Sequence, residues 1–298
     1  YLFIFLNIIM FMDINNAKIG FIGAGYMGEG IAHNLLNNKL PLSVIAHKNR
    51  IPIERLIEQG AHESKSLEEL ASFSNTIIMC VTNTPVATQV VKDIFPYLKP
   101  STNFIDITTH HSTGSIEVNN LLKSKDIRYV ESPVMGGPLQ AKDGVLGAIV
   151  GCSKNHFQES KNILMKFCKD VFYFGEIGMG AKTKLISNFL SLGTATFVIE
   201  TLKAANRLNI DLNKLYDVAK LGSGNSGALN RIADKAIRGD YKGYIFSVNN
   251  TLKDLTYIND LVKDIPNAEK LSSLAKSFYK EESDKGKGEW LISELIKE

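Results

Sequence analysis

Two patterns of apolar and polar positions divide the chain and predict its elements. Short apolar runs, typical of buried strands, recur up to residue 175 as IGFI, LSVIA, NTIIMCV, TNFIDI, IRYVESPV, LGAIVG and VFYFG. Between them lie segments with helical spacing, such as PVATQVVKDIFPYL and NHFQESKNILMKFC. Strands that alternate with helices predict a parallel sheet covered by helices on both faces, the doubly wound α/β architecture.

From about residue 178 the spacing is helical throughout. The first segment, residues 180–208, has apolar side chains in nearly every direction around a helix axis: Leu185, Ile186, Phe189, Leu190, Leu192, Phe197, Val198 and Ile199. Because a helix that is apolar all round is a buried one, we expect a long buried helix here. Further helices follow a break at residues 221–227. The pattern predicts an α/β domain, residues 13–177, and an all-α domain, residues 178–298.

The first twelve residues, YLFIFLNIIMFM, are apolar except for Asn7. They are too short to cross a bilayer, which takes roughly 20 residues, and they lack the basic region and cleavage site of a signal peptide. We expect residues 1–12 to be a non-native or disordered extension, with Met12 as the initiator. The alternative is an exported or membrane-attached form.

Charge and cysteine content narrow the class of protein. The 34 basic and 31 acidic residues give a net charge of +3, too balanced to indicate binding to nucleic acid or an anionic membrane. The three cysteines, Cys80, Cys152 and Cys168, form no CxxC pair, and their odd number argues against a disulfide framework. We expect a cytoplasmic protein that acts on small molecules, and we predict no metal site.

A glycine-rich turn follows the first predicted strand. The sequence IGFIGAGYMG places Gly23, Gly25 and Gly28 between that strand and a helix. In a dinucleotide-binding unit such glycines allow the tight turn, the approach of the pyrophosphate and the packing of helix on strand. The turn, including Tyr26 and Met27, therefore predicts a nicotinamide dinucleotide bound to a Rossmann-type domain.

The second predicted strand ends in His47, Lys48, Asn49 and Arg50. An NAD-binding chain typically has Asp or Glu here for the ribose hydroxyls, and no acid occurs in this stretch. Basic side chains suit the 2′-phosphate of NADP, so NADP is favoured over NAD. The alternative is that these are solvated turn charges.

Lys184 and Asn188 are four residues apart in the long apolar helix. Their side chains share one face, about 5–6 Å apart at the β-carbons. Burial disfavours a charged amine and lowers its pKa, which suits a proton donor. The alternative is an ordinary solvated lysine.

Four motifs in order resemble the β-hydroxyacid dehydrogenase family, which includes 3-hydroxyisobutyrate dehydrogenase, glyoxylate and succinic semialdehyde reductases and, more distantly, 6-phosphogluconate dehydrogenase. They are GFIGAGYMG, ESPVMGGPLQAKDGVLGAIVG, GMGAKTKLISN and TLKDLTYI, and the resemblance covers about residues 17–260. It implies that Lys184 is the general acid in carbonyl reduction and that Asn188 holds the carbonyl oxygen. Lys182 is the fallback candidate.

The resemblance implies further roles. Gly136 and Gly137 would approach the substrate carboxylate, and Thr109 would lie near nicotinamide and substrate. The remaining implied cofactor contacts are Val81, Thr82, Asn83, Phe246 and Lys253. For residues 81–83 the alternative is a loop followed by a helix cap.

One position departs from the family pattern. Met135 stands where a serine usually helps to bind the carboxylate, and methionine donates no such hydrogen bond. This puts the anchoring of a carboxylate in doubt and makes the substrate-binding site more apolar. His110 and His111 are either substrate contacts or solvated loop residues, and we expect the latter.

These features predict an NADPH-dependent reductase of a small aldehyde or keto acid, of semialdehyde or glyoxylate type. The family resemblance implies a homodimer or homotetramer. The alternatives are an imine reductase, which commonly lacks the lysine, a ketopantoate-type reductase, and a sensor that binds NADP without turnover.

Overall fold

The computed structural model describes residues 16–297, which form two compact units. The first unit comprises the chain up to Thr108 together with Gly114–Gly180, and the second comprises Thr109–Thr113 and the chain from Ala181. The predicted extension, residues 1–12, lies outside the described residues. The domain boundary predicted between residues 177 and 178 stays a prediction.

The described residues of the first unit form one nine-stranded sheet with the order β3-β2-β1-β4-β5-β6-β8-β7, in which β9 also pairs with β8. The strands are β1 (Ile19–Ile22), β2 (Leu42–Ile45), β3 (His62–Ser64), β4 (Thr76–Met79), β5 (Asn103–Asp106), β6 (Arg128–Glu131), β7 (Val134–Met135), β8 (Leu146–Gly151) and β9 (Cys168–Gly175). The pairs from β3 to β6 are parallel, as predicted. Strand β8 runs antiparallel to β6 and β7, because the chain turns back on itself after Met135.

Helices cover both faces of this sheet. They are α1 (Tyr26–Asn37), α2 (Ile51–Glu58), α3 (Leu67–Phe73), α4 (Thr84–Ile94), α5 (Gly114–Lys123), α6 (Pro138–Lys142) and α7 (Lys154–Leu164). Neighbouring strand residues face opposite sides, so Ile105 packs in the core cluster of α1 and α2, whereas Phe104 packs in that of α3, α4 and α5. Because β1, β2, β4 and β5 run parallel, their carboxyl ends lie along one edge of the sheet, where ligands of such sheets bind.

The second unit is helical. Its helices are α8 (Met179–Arg207, which begins in the first unit), α9 (Leu212–Leu221), α10 (Gly227–Ala236), α11 (Val248–Leu261) and α12 (Pro266–Glu282). The break predicted at residues 221–227 is confirmed, since α9 ends at Leu221 and α10 begins at Gly227. After Gly175, the described residues show an isolated bridge between Ser247 and Leu291 but no further strand.

The prediction that α8 is buried all round is wrong. Leu185, Leu192 and Ile199 pack in the helical core, whereas Ile186, Leu190 and Phe197 are 48%, 75% and 68% exposed. The cause is one-sided packing: α9 to α12 cover a single side of the helix. Among the described residues α8 alone is long and apolar enough to cross a membrane, but its buried side identifies it as a core helix of this unit.

Candidate active site

The glycine-rich turn has the geometry of a phosphate-binding loop. Gly23 has a φ of 98°, and its carbonyl oxygen accepts a hydrogen bond from the Gly25 amide (2.9 Å). A β-carbon on Gly23 would overlap the Cys80 carbonyl, and one on Gly28 would overlap the Gly23 carbonyl. A β-carbon on Gly25, the N-cap of α1, would meet no protein atom within 4 Å. The protein itself therefore requires Gly23 and Gly28, and the open space at Gly25 fits the approach of a pyrophosphate to the helix N-terminus. Tyr26 is exposed and Met27 is half-buried on the first turn of α1.

The basic turn after β2 contains an ion pair that involves an acid from another strand. His47, Lys48 and Asn49 are exposed, and the Asn49 side chain accepts a hydrogen bond from the Ile51 amide (3.1 Å). The Arg50 guanidinium donates two hydrogen bonds to Glu63, at 3.0 and 3.2 Å. Glu63 belongs to β3, and sequence reasoning missed it, because the strand HES is short and polar. An acid is thus present at this turn, although none occurs among residues 47–50.

Side chains accept hydrogen bonds from backbone amides in and after the loop that follows β4. The Val81 amide donates to the Thr108 hydroxyl (3.3 Å), Thr82 is exposed, and the Asn83 side chain caps α4 by accepting from the Val86 amide (3.0 Å). Asn83 therefore has the capping role that was the alternative interpretation of this stretch.

The predicted carboxylate-binding segment lies between β7 and α6. Met135 is half-buried at the end of β7, and Gly136 has a φ of 121°. The Gly137 amide donates to the Gln140 side chain (2.9 Å). In this structure the amide of Gly137 is therefore engaged by the protein itself, and a substrate carboxylate would have to replace Gln140 as its acceptor.

In the second unit, Lys184 and Asn188 lie one turn apart on α8 and are 9% and 7% exposed. The Asn188 amide donates to Asp254 Oδ2 (2.7 Å), and Lys253 Nζ lies 3.0 Å from Asp254 Oδ1. Asp254, on α11, is buried. The structure thus places Asn188 and Lys253 in contact with the carboxylate of Asp254, whose charge also acts on Lys184. Sequence reasoning did not select Asp254, although the segment TLKDLTYI contains it.

Burial lowers the pKa of Lys184 to about 8. The charge of Asp254 opposes this shift, whereas that of Lys253 adds to it. At neutral pH this ammonium is mostly protonated but is a stronger acid than an ordinary lysine, as a proton donor requires. Lys182, by contrast, is exposed.

The segment Thr109–Thr113 belongs to the second unit, and Thr109 is half-buried in it. The expectation of solvated histidines is wrong for His110, which is 1% exposed. His111 is half-buried and makes an edge-to-face contact with Tyr257, with the ring centres 5.6 Å apart. Tyr257 follows Lys253 by one helical turn, and Lys253 Nζ lies 5.8 Å from its ring centre.

Phe246 precedes α11 in the helical unit. It is half-buried and packs against the helical core, and its carbonyl accepts a hydrogen bond from the Ile292 amide (3.0 Å). The described residues contain no cluster of His, Cys, Asp and Glu suited to a metal ion.

Comparison with known proteins identifies the family. Residues 18–175 match the family model for the NAD-binding domain of 6-phosphogluconate dehydrogenase, and residues 178–298 match that for the NAD-binding domain of NADP-dependent 3-hydroxyisobutyrate dehydrogenase.

Similar proteins cover most of the chain. Glyoxylate/succinic semialdehyde reductase 1 of Arabidopsis thaliana is 29% identical over 69% of this chain and 72% of that protein. For 2-(hydroxymethyl)glutarate dehydrogenase of Eubacterium barkeri the identity is 27%, over 80% of each chain. The crystal structure of 3-hydroxyisobutyrate dehydrogenase from Salmonella typhimurium has a TM-score of 0.87 and 26% identity, covering 95% of this chain and 99% of that one. The chain belongs to the β-hydroxyacid dehydrogenase family of NAD(P)-dependent oxidoreductases.

Proposed function

We propose that the protein is an NADPH-dependent reductase of small aldehydes or keto acids, of semialdehyde or glyoxylate type, and that it catalyses the reverse oxidation of the hydroxyacid. The observation that carries this proposal is the buried Lys184, with Asn188, Asp254 and Lys253 beside it. The names of similar proteins, which include a glyoxylate/succinic semialdehyde reductase, support this class of substrate.

Lys184 is the proton donor in the proposed reaction. Bound NADPH supplies the hydride, while the Lys184 ammonium gives its proton to the carbonyl oxygen, which becomes the hydroxyl of the product. A pKa of about 8 keeps the donor charged at neutral pH and eases the transfer. The same charge stabilises the negative charge that develops on the oxygen. In the oxidation direction the neutral amine accepts the proton.

Asn188 and Asp254 are the positioning residues. Because Asp254 accepts the hydrogen bond from Asn188 and pairs with Lys253, it fixes the rotamers of both. It also moderates the fall in the pKa of Lys184. Positioned groups of this kind avoid reorganisation at the moment of reaction.

The charge of this cluster favours an anionic substrate. Lys184 and Lys253 are two cations against the single carboxylate of Asp254, and an excess of positive charge in a buried site attracts anions. This positive charge attracts the carboxylate of a substrate, to which Met135 donates no hydrogen bond. Aldehydes and keto acids that carry a carboxylate are therefore the proposed substrates.

A turnover assay tests the proposal. Purified protein is given NADPH and, in turn, glyoxylate, succinic semialdehyde and a neutral aldehyde of similar length, and the consumption of NADPH is followed by absorbance. We expect higher kcat/KM for the two anionic compounds. No turnover of any carbonyl compound, with NADP bound, would favour a sensor. Turnover of a ketone only in the presence of an amine would favour an imine reductase.

The exposed apolar side of α8 supports the proposal that the protein is a homodimer or homotetramer. Leu190 and Phe197, seven residues apart on the exposed side of α8, and Leu221 at the end of α9 are large, apolar and mostly exposed. An exposed apolar helix face of this kind favours an interface. The occupant we propose is a second copy of the chain. Phe197→Glu should reduce the mass measured by light scattering to that of a monomer, and an unchanged mass would contradict the assignment.

A further inference from the structure

The guanidinium of Arg50 is surrounded by carboxylates. Its Nη1 and Nη2 atoms donate to the two oxygens of Glu63 at 3.0 and 3.2 Å, and its Nε lies 3.6 Å from Glu54 Oε1. The contact with Glu63 is bidentate, the strongest arrangement between a guanidinium and a carboxylate. All three guanidinium nitrogens of Arg50 therefore face acidic oxygens.

The sheet itself brings Glu63 to this turn. Strand β3 runs parallel to β2, with Glu63 in register with Val44. The hydroxyls of Ser43 and Ser64, 2.6 Å apart and buried, hold the two strands together next to this pair. Arg50 precedes α2, and its carbonyl accepts a hydrogen bond from the Glu54 amide (2.9 Å). The ion pair thus joins a strand to the start of a helix.

The pair stays charged over the physiological pH range. The hydrogen bond with Glu63 raises the pKa of Arg50. The same hydrogen bond from Arg50 lowers the pKa of Glu63, with a smaller contribution from Lys65. Counted together, Arg50, Glu63 and Glu54 carry one positive and two negative charges. A phosphate that approaches Arg50 therefore meets the negative charge of two nearby carboxylates and competes with Glu63 for the guanidinium.

This turn is where a dinucleotide-binding domain distinguishes the two cofactors. An acid there accepts hydrogen bonds from the ribose hydroxyls of NAD, and a basic group accommodates the 2′-phosphate of NADP. The present turn has both chemistries: the cations Lys48 and Arg50 beside the imidazole of His47, and a carboxylate bound to Arg50. A neutral 2′-hydroxyl does not have to compete with Glu63 for Arg50, whereas a 2′-phosphate does.

We infer that Glu63 is a cofactor-specificity residue, which lowers the affinity for the 2′-phosphate by holding Arg50 and so narrows the preference for NADPH over NADH. The inference rests on the proposed use of NADPH and deepens it. It assigns the first contact with the phosphate to Lys48 and His47, and bidentate pairing of Arg50 with the phosphate then requires its ion pair with Glu63 to open.

The adenosine halves of the two cofactors test the inference without any need for turnover. Calorimetry at low salt measures the binding of 2′,5′-ADP and of 5′-AMP to the full chain and to Glu63→Gln, which keeps the size of the side chain and removes its charge. We expect the affinity for 2′,5′-ADP to rise by about three- to fivefold, the scale of an exposed ion pair, with that for 5′-AMP unchanged or lower. Glu54→Gln is the matched control, since Glu54 touches Arg50 at a longer distance, and its effect should be smaller.

Three outcomes would overturn the inference. Weaker binding of 2′,5′-ADP to Glu63→Gln would mean that Glu63 orients Arg50 toward the phosphate. An unchanged affinity, with the fold intact by thermal unfolding, would mean that the ion pair is a structural contact only. If neither nucleotide binds to the unaltered protein, the cofactor site and this inference both fail. If nucleotides bind as expected but no carbonyl compound is reduced, the proposed reaction fails and the role of Glu63 stands.

Discussion

Asp254→Asn is the substitution that best tests the account of Lys184. The change keeps an oxygen that accepts the hydrogen bond from Asn188 but removes the negative charge that raises the pKa of Lys184. Burial and Lys253 then lower that pKa without opposition. Because the proton donor must be protonated, carbonyl reduction should decline at a lower pH in the variant than in the unaltered protein, where the decline is centred near 8.

The size of the effect follows from the buried setting of the pair. An opposite charge close to a buried group changes its acid dissociation constant by about tenfold or more, and we take about tenfold. At about pH 8 the unaltered Lys184 is then roughly half protonated and the variant about one tenth, whereas both are almost fully protonated near pH 6. The ratio of variant to unaltered kcat/KM should therefore fall about fivefold between pH 6 and pH 8, beyond any constant loss from poorer positioning.

The assay is kcat/KM for an anionic aldehyde, measured across this pH range with saturating NADPH. Asp260→Asn is the matched control, because Asp260 lies on the same helix and is exposed; its profile should overlie that of the unaltered protein. A profile for Asp254→Asn that coincides with the unaltered one, or moves to higher pH, would refute the electrostatic argument.

Other substitutions separate the remaining parts of the site. Lys184→Ala should lower kcat/KM by at least ~10²-fold with NADP binding retained, whereas the exposed Lys182 should tolerate the same change; comparable losses would contradict the assignment. Replacing both Lys48 and Arg50 by Gln should weaken NADPH more than NADH, and equal losses in their dissociation constants would argue against a phosphate site. Gly28→Ala should lower the thermal unfolding midpoint, because its β-carbon overlaps the Gly23 carbonyl. Gly25→Ala should lower that midpoint less than Gly28→Ala does and should weaken nucleotide binding, and unchanged nucleotide binding would contradict the role of Gly25 in the phosphate-binding loop.

The elements that sequence could predict are those with a strong local apolar signal. Strands β1, β4 and β5 each have an apolar centre and are buried on both faces, so composition alone indicates them. Strand β3 is three residues long and mostly polar, and its pairing with β2 is set by tertiary contacts. For that reason the acid beside Arg50 could not be predicted.

Within the candidate site, sequence predicts neighbours along a helix but not partners across the fold. The spacing of Lys184 and Asn188 follows from helix geometry, whereas the hydrogen bond from Asn188 to Asp254 spans 66 residues. The burial of His110 and the exposure of Phe197 also depend on contacts between distant parts of the chain. Periodicity shows which residues share a side of a helix or loop, but only packing decides which sides are covered.

The position of β3 at the margin of the sheet has a consequence for how this protein can change. Glu63 contributes nothing to the apolar core, so under its proposed role a substitution there changes the preference between NADPH and NADH while Lys184 and the folded scaffold stay as they are. Under the proposed roles, the cofactor preference can therefore diverge between lineages independently of the carbonyl substrate.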